Sequence, residues 1–344
     1  MANVLRENLL IGIGHPLLDI TAMVDIQFLT KYNLKKNDAV IATEQHQNVY
    51  KELVKEYPVT YTVGGSIQNT LRIIQWLIET PKVTTFFGAV GRDDLSNILS
   101  DKATRDGVNV NYQYVDKELT GTCIVLITGK SRSLCTNPAS SRLFKIEHLQ
   151  IPANKSLLDT ADYYYMGGFF LSVSVDTVLE IAKIVVANKR QFLFNISAPF
   201  ICKNYKDALL EFMPYFDVVF GNKSEIEAFA EALQIKSSNI DKIIVDLAKW
   251  PKIIGTKPRI IVLTQGENPV IVGIEDTILK FPIAKIEDEA IVDTNGAGDA
   301  FVGGFLAQYI QGKDLEVCVN CGIWTASKII QKIGCTFEGK ALYK

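Results

Sequence analysis

The run Asp293-Thr294-Asn295-Gly296-Ala297-Gly298-Asp299-Ala300-Phe301 sets a single carboxylate among small residues, where a β-branched stretch gives way to a predicted helix over 297–310 that stops at Gly312. With no bulky side chains in the way, the N–H groups of Gly296, Ala297 and Gly298 can converge on one point. Unpaired N–H groups and the positive end of a helix dipole make such a point an anion site. Asp299, in the first helical turn, could simply complement that dipole, and the glycines could simply turn the chain. The density of glycine around one acid favours an anion hole with a general base beside it.

Several anion-binding chemistries are excluded by motif. No GxxxxGK[ST] occurs, Gly12-x-Gly14 lacks the third glycine of a dinucleotide fingerprint, and no GxSxG is present. With only three histidines (His15, His46, His148), Ser/His/Asp and Cys/His hydrolase patterns find too few partners. Phosphoryl transfer to a hydroxyl remains; it needs an in-line acceptor, a base for its proton and fixed positive potential around the transferred group. A carboxylate with a reference pKa of about 3.9 serves as that base if the proton leaves late.

Other residues stand out by type. Asp19 follows a Gly-His-Pro turn, where a local cap or a solvated side chain is as ordinary a reading as a functional carboxylate. Tyr61-Thr-Val-Gly64-Gly65-Ser66-Ile67-Gln68-Asn69 repeats the strand, double glycine and polar helix start; Ser66 could be only the N-cap, but two glycines exceed what a cap needs. Arg132 lies in a predicted polar loop beyond a strand, where a solvated charge is the ordinary reading. Cys318-x-x-Cys321 lacks a second ligand pair and reads as two small buried residues of a helix.

These residues are carried by an alternating β/α pattern. Strands are expected at 9–14, 83–87, 163–166, 191–195, 217–220 and 259–263, with Gly88-Ala-Val-Gly91 as a turn and helices at 44–57, 66–78, 93–105, 174–187 and 314–333. That alternation implies a mostly parallel sheet with helices on both faces, and ligands at the carboxyl ends of its strands. Strand-like runs in 18–42, 59–63 and 110–128 break the alternation and suggest a small separate β-sheet. The expected division is a large α/β domain (1–17, 64–116, 143–344) and a small β-rich domain (18–63, 117–142). At 344 residues and 48% hydrophobic content the chain can bury a large core, and a net charge of −2 without basic or acidic blocks speaks against nucleic acid. No membrane span or signal-peptide pattern is read, and six scattered cysteines suit a reducing, cytoplasmic setting.

Together with the 293–301 run, Gly14-His-Pro-Leu-Leu-Asp19, Gly64-Gly-Ser-Ile-Gln-Asn69, Thr120-Gly-Thr-Cys123, Arg132-Ser-Leu134, Gly168-Phe-Phe-Leu, Ser197-Ala-Pro-Phe200, Asn222-Lys-Ser-Glu225 and Gly334-Cys-Thr-Phe337 resemble the ribokinase-like carbohydrate and nucleoside kinases, most closely adenosine kinases of the animal type. The resemblance spans nearly the whole chain. It implies a ribokinase-like α/β fold whose small domain is a lid, and ATP-dependent phosphorylation of the adenosine 5′-hydroxyl in purine salvage. Asp299 would be the base and Gly296, Ala297 and Gly298 the anion hole, with Arg132 swinging from the lid to the phosphate. Asp19 would hold the ribose 2′- and 3′-hydroxyls; Gly65, Asn69 and Asn295 would also contact the nucleoside, with His15 and Ser66 close to it. Cys123, Leu134, Phe169 and Phe200 would wall the adenine. Asn222 and Glu225 would organise Mg²⁺ and phosphates, with Glu225 the metal-linked carboxylate, while Thr264 and Gly266 would line the ATP side. His15 departs from the asparagine usual in those enzymes, which leaves a kinase of another nucleoside or sugar as one alternative and a non-catalytic nucleoside binder as a second. A monomer is expected.

Overall fold

Leu10 and Ile11 are adjacent in sequence but belong to different hydrophobic cores, one on each side of a sheet. This period-2 alternation organises the molecule. The computed structural model describes residues 4–36, 38–129, 131–253 and 257–343. Its strands are β1 (Leu10–Ile13), β2 (Leu17–Met23), β3 (Ala39–Ile41), β4 (Thr60–Gly64), β5 (Thr84–Gly91), β6 (Asn109–Val115), β7 (Thr122–Thr128), β8 (Ser131–Asn137), β9 (Tyr163–Gly167), β10 (Gln191–Asn195), β11 (Phe216–Asn222), β12 (Ile260–Gln265), β13 (Asn268–Ile274) and β14 (Thr277–Phe281). Helices that bear on the site or its support are α1 (Ser66–Ile78), α2 (Asp94–Arg105), α3 (Val175–Asn188), α4 (Lys223–Ala232), α5 (Ile240–Ala248), α6 (Ala297–Tyr309) and α7 (Leu315–Ile329).

The large sheet runs β14-β13-β12-β11-β10-β9-β1-β5-β6 and is parallel except for its last two pairings, β12 with β13 and β13 with β14. The central strand β1 is flanked by β5 on one side and β9 on the other, so chain order reverses there and a crevice opens beyond its carboxyl end. Every residue of β1, β5 and β9 is buried, as a sheet covered on both faces requires. On one face α6 is wedged between α1 and α7. The wedge is close because Gly303 meets Ile73 of α1, and Gly304 meets Thr325 and the Cys321 carbonyl of α7; a methyl at either glycine would sit within 2.6 Å of its neighbours.

The second sheet runs β3-β8-β7-β2-β4. Its register pairs Asp19 with Cys123, Cys123 with Thr136, and Val125 with Leu134. Because opposite residues share a face and alternate residues return to it, Asp19, Cys123, Leu134 and Arg132 all lie on one face of this sheet.

Several expectations change. Gly88-Ala-Val-Gly91 is not a turn but the second half of β5, fully buried, because Gly88 passes tightly under Pro16 and the Gly14 carbonyl. The 110–115 run is β6, which pairs with β5 in the large sheet rather than joining the small one. Arg132 stands within β8, not in a loop. The helix over 44–57 is a short 3₁₀ turn, Glu44–His46, and a helix, Val49–Glu56. The last helix ends at Ile329. The hairpin β13–β14 and α5 had no counterpart in the sequence reading. Cys318 and Cys321 are buried in α7, and all six cysteines are free thiols.

Candidate active site

Asp299 sits in the first turn of α6, and α1 packs so that its own first turns face it. Ser66 Oγ donates to Asp299 Oδ1 at 2.6 Å, Asn69 Nδ2 donates to Oδ2 at 3.1 Å, and Thr70 Oγ1 donates to the Asp299 carbonyl at 3.3 Å. Burial pushes the Asp299 carboxyl up to about 6, against the pull of the Ser66 and Asn69 hydrogen bonds on the ionised form. The N-cap of α1 is Gly65, not Ser66, and its φ of +86° places it in the left-handed region. Ser66 is therefore the first helical residue, with its hydroxyl committed to Asp299.

The turn before α6 uses Gly296 as its cap, at φ +78°. Among the described residues the N–H groups of Gly296 and Gly298 meet no protein acceptor, whereas that of Ala297 turns back to the Thr294 carbonyl at 3.3 Å. A Cβ at Gly298 would enter open space, so this is the side from which an anion can approach. That side opens on a cavity of about 290 Å³ whose wall includes Thr264, Gly266, Thr294, Ala297, Gly298 and Phe301, with apolar Ile323, Ala326 and Ile330 behind them.

Asp19 is 8% exposed, and among the described residues no hydrogen bond reaches its carboxylate. Burial raises its pKa to about 7, opposed by the charges of Arg132 and Arg72 and reinforced by Asp299. The room for it is made by Gly64, where a Cβ would lie 2.0 Å from Asp19 Oδ1, and the adjacent Gly65 runs so close that its Cβ would lie 2.1 Å from the His15 carbonyl. Gly64→Ala is accordingly expected to displace the Asp19 carboxylate and cost about 1–3 kcal/mol of stability. The check is a melting curve beside a crystal structure; an unmoved Asp19 and unchanged melting point would contradict this packing.

Arg132 reaches from β8 to an ion pair with Asp293, whose side chain is nearly buried. Asp293 Oδ2 also accepts from Gly334 N at 2.7 Å, and its Oδ1 accepts from Asn295 N at 2.9 Å. Asp293 was not singled out in the sequence, although it opens the motif; it shapes the turn and holds the cation of the second sheet. Asn295 contributes its backbone to that turn, and its side chain is exposed.

His15 is half-buried, with Nδ1 2.8 Å from Ser141 Oγ and Nε2 3.3 Å from the Phe169 carbonyl. A carbonyl only accepts, so Nε2 carries a proton, and burial lowers the ring's pKa towards the neutral form. The rings of Phe169 and Phe200 meet at 6.0 Å, and both side chains remain exposed. Cys123 is buried beside Asp19, and burial raises its thiol to about 12. The four expected adenine-wall residues thus stand as an exposed aromatic pair and a strand-borne pair, Cys123 with Leu134.

At the end of β11, Asn222 and Glu225 form the capping box of α4: Asn222 Oδ1 accepts from Glu225 N at 2.9 Å and Glu225 Oε2 from Asn222 N at 2.9 Å. Asn222 Nδ2 also donates to Glu225 Oε1 at 2.8 Å, so both carboxylate oxygens are engaged locally. Asn222 is the register partner of Thr264 across β11 and β12, which places the box beside the cavity wall. Among the described residues no three His, Cys, Asp or Glu side chains gather as a metal cage.

Known proteins resemble this chain over nearly its whole length. The family model described as pfkB family carbohydrate kinase matches residues 27–340. Adenosine kinase 2 of Arabidopsis thaliana is 40% identical, over 97% of this chain and 97% of its own. The crystal structure of Anopheles gambiae adenosine kinase in complex with a di(adenosine-5) tetraphosphate superposes with a TM-score of 0.91 at 45% identity, over 98% of this chain and 100% of that one. Adenosine kinase from Schistosoma mansoni in complex with 2-fluoroadenosine gives 0.89 at 32% identity, over 98% and 99%. Coverage of this extent and identity of this level leave one assignment: the chain belongs to the pfkB family of carbohydrate kinases.

Proposed function

We propose that the chain transfers the γ-phosphoryl group of ATP to the 5′-hydroxyl of adenosine, giving AMP and ADP. The observation that carries this reading is a carboxylate held by two donors, in the first turn of a helix whose unpaired N–H groups open on an apolar cavity. Full-length similarity to adenosine kinases supplies the acceptor. In the reaction a bond forms between the 5′-oxygen and the γ-phosphorus while the β,γ-bridging bond breaks. The hydroxyl proton passes to Asp299, and the N–H groups of Gly296 and Gly298 face the charge that spreads over the phosphoryl oxygens. ADP carries away the bridging oxygen.

The acceptor side is assigned to Asp19, whose unfilled carboxylate suits a cis-diol, with Gly65, Asn69 and the Asn295 turn alongside. Phe169 and Phe200 offer one apolar wall for the base, and Cys123 and Leu134 the other, with His15 and Ser66 close by. The donor side is assigned to the cavity walled by Thr264 and Gly266, with Asn222 and Glu225 at its flank. Mg²⁺ fits this donor set as a companion of ATP: it keeps water and phosphate oxygens as ligands and needs only a nearby carboxylate such as Glu225 rather than a protein cage. It would neutralise phosphate charge. Loss of the Asn222 cap costs about 1 kcal/mol, small enough that an Asn222 variant still folds and reports on donor binding.

Residues 18–63 and 117–142, which carry the second sheet, are read as a lid that brings Asp19 and Arg132 over the large domain. Arg132 then exchanges Asp293 for the transferring phosphate. Arg132→Ala is expected to lower kcat about 10- to 100-fold, the loss of one charged hydrogen bond, with adenosine affinity changed much less. Steady-state kinetics with an adenosine titration check it; the reverse pattern would make Arg132 part of the pocket wall. Among the described residues no helix is long and apolar enough to cross a membrane. Free, buried thiols agree with a cytoplasmic setting. An ADP-release assay over adenosine, 2′-deoxyadenosine, guanosine and ribose tests the whole reading: adenosine should be preferred, and a sugar preferred over every nucleoside would overturn it.

A further inference from the structure

We propose that Arg72 is a positioning residue for this reaction: its guanidinium fixes the orientation of the Asn69 amide toward Asp299 and ties the C-terminal segment 334–337 to the same carboxylate. The inference rests on the kinase reading above. Arg72 is 6% exposed and lies three residues beyond Asn69 on α1, on the same helical face. Its Nε donates to Asp106 Oδ2 at 2.6 Å, which compensates the buried charge. Its Nη1 faces three oxygens: the Val63 carbonyl at 3.3 Å, Asn69 Oδ1 at 3.2 Å and the Cys335 carbonyl at 3.1 Å. The guanidinium carbon lies 5.1 Å from the centre of the Phe337 ring.

A guanidinium is a donor only, so only the oxygen of the Asn69 amide can face it. The amide nitrogen is thereby forced the other way, onto Asp299 Oδ2 at 3.1 Å. A flipped amide would set donor against donor at Arg72 and acceptor against carboxylate at Asp299, two repulsive contacts in a buried place. Arg72 thus acts on the base through Asn69 without touching it. The segment beyond α7 completes the clamp from both ends: Gly334 N–H holds Asp293, and the Cys335 carbonyl and Phe337 ring hold Arg72. This gives a role to the Gly334-Cys-Thr-Phe337 run, which the reaction otherwise leaves unused. The titratable groups facing Asp299 are Asp19 from β2, Tyr165 from β9 and Cys335 from the C-terminal segment, while Arg72 and Arg132 act on Asp19 beside it.

The test compares the full-length protein with Arg72→Met, Arg72→Lys, Asn69→Ala and the Arg72→Met/Asn69→Ala double variant. Four readouts are taken: kcat, KM for ATP, the pH profile of kcat, and the titration of the Asp299 carboxyl carbon by ¹³C NMR, assigned by difference against Asp299→Asn. Arg72→Met is expected to lower kcat about 10- to 100-fold and to move the acid limb and the carboxyl titration up by about one pH unit, with KM for ATP within about twofold. The double variant should be no worse than Asn69→Ala alone, since the two side chains act in series. Additive losses, or a fall in kcat with both titrations unmoved, would overturn the proposal and make Arg72 a strut of the core. If Arg72→Met does not melt cooperatively, Arg72→Lys carries the same comparison, because it keeps the charge but loses the fork. It should show a smaller shift in the same direction, and a wild-type titration would overturn the proposal. Absence of any adenosine phosphorylation by the unmodified protein would instead refute the kinase reading, and the carboxyl titration would still judge Arg72.

Discussion

Asp299→Asn is expected to lower turnover by about 10²- to 10⁴-fold, the usual contribution of a general base, while adenosine still binds within a few-fold of its normal affinity. The amide is nearly isosteric, so the first turn of α6 and its contact with α1 persist. The proton acceptor is what disappears. Because burial pushes the Asp299 carboxyl up to about 6, the unmodified protein should lose kcat as pH falls through about 6, by about tenfold per unit below it, since only the ionised form accepts the proton. The variant should lack that limb. Stopped-assay pH profiles of both proteins check the pair of results, and near-normal turnover by Asp299→Asn would place the base elsewhere.

Asp19→Asn is expected to weaken adenosine binding by about 10²- to 10³-fold, the loss of two hydrogen bonds to a charged group, with kcat at saturation changed far less. Discrimination against 2′-deoxyadenosine should collapse with it, because rejection depends on leaving one carboxylate oxygen unpaired. Here too the pH dependence has a definite sign. The Asp19 carboxyl is raised to about 7, so adenosine affinity should fall as pH drops through about 7. Stability runs the opposite way. Between the ordinary carboxyl value of 3.8 and about 7 the folded state binds more protons at this site than the unfolded state, so the ionised carboxylate costs stability increasingly as pH rises through that window. Asp19→Asn removes that cost and should melt higher than the unmodified protein at pH values above about 7. Isothermal titration with both nucleosides, set beside melting curves, tests both halves. Unchanged binding with unchanged ribose preference would remove Asp19 from the diol.

The same balance explains which features the sequence displayed and which it concealed. Strands such as β1 and β9 were legible because a central parallel strand is buried on both faces and a glycine stands at or just beyond its end. Gly88-Ala-Val-Gly91 misled, since two glycines read as a turn unless a tightly packed proline and carbonyl demand them within a strand. Arg132 read as a loop charge because β8 is polar on its outer positions, and only the register with β7 shows its face shared with Asp19. The acid and the glycines of the α6 turn were recognisable as a unit, since their spacing is local. Their partners were not: Ser66 and Asn69 are more than 200 residues away from Asp299, and their commitment to its carboxylate is a tertiary fact. Asp293 and Arg72 were missed for a similar reason. A lone acid before a turn and a lone arginine in an amphipathic helix look ordinary until Gly334 and Cys335 return to meet them. The Asn69–Arg72 spacing of three on a helix was the one local signal available.

The central claim is that a phosphoryl group moves from ATP to the 5′-oxygen of adenosine. The most direct measurement is ³¹P NMR, with mass spectrometry, of the full-length protein incubated with ATP, Mg²⁺ and adenosine carrying ¹⁸O at its 5′-oxygen. The proposed reaction requires one AMP for each ADP, with the label retained in the phosphoester bond of AMP. ADP appearing without AMP, or phosphate found on another oxygen of the nucleoside, would contradict it.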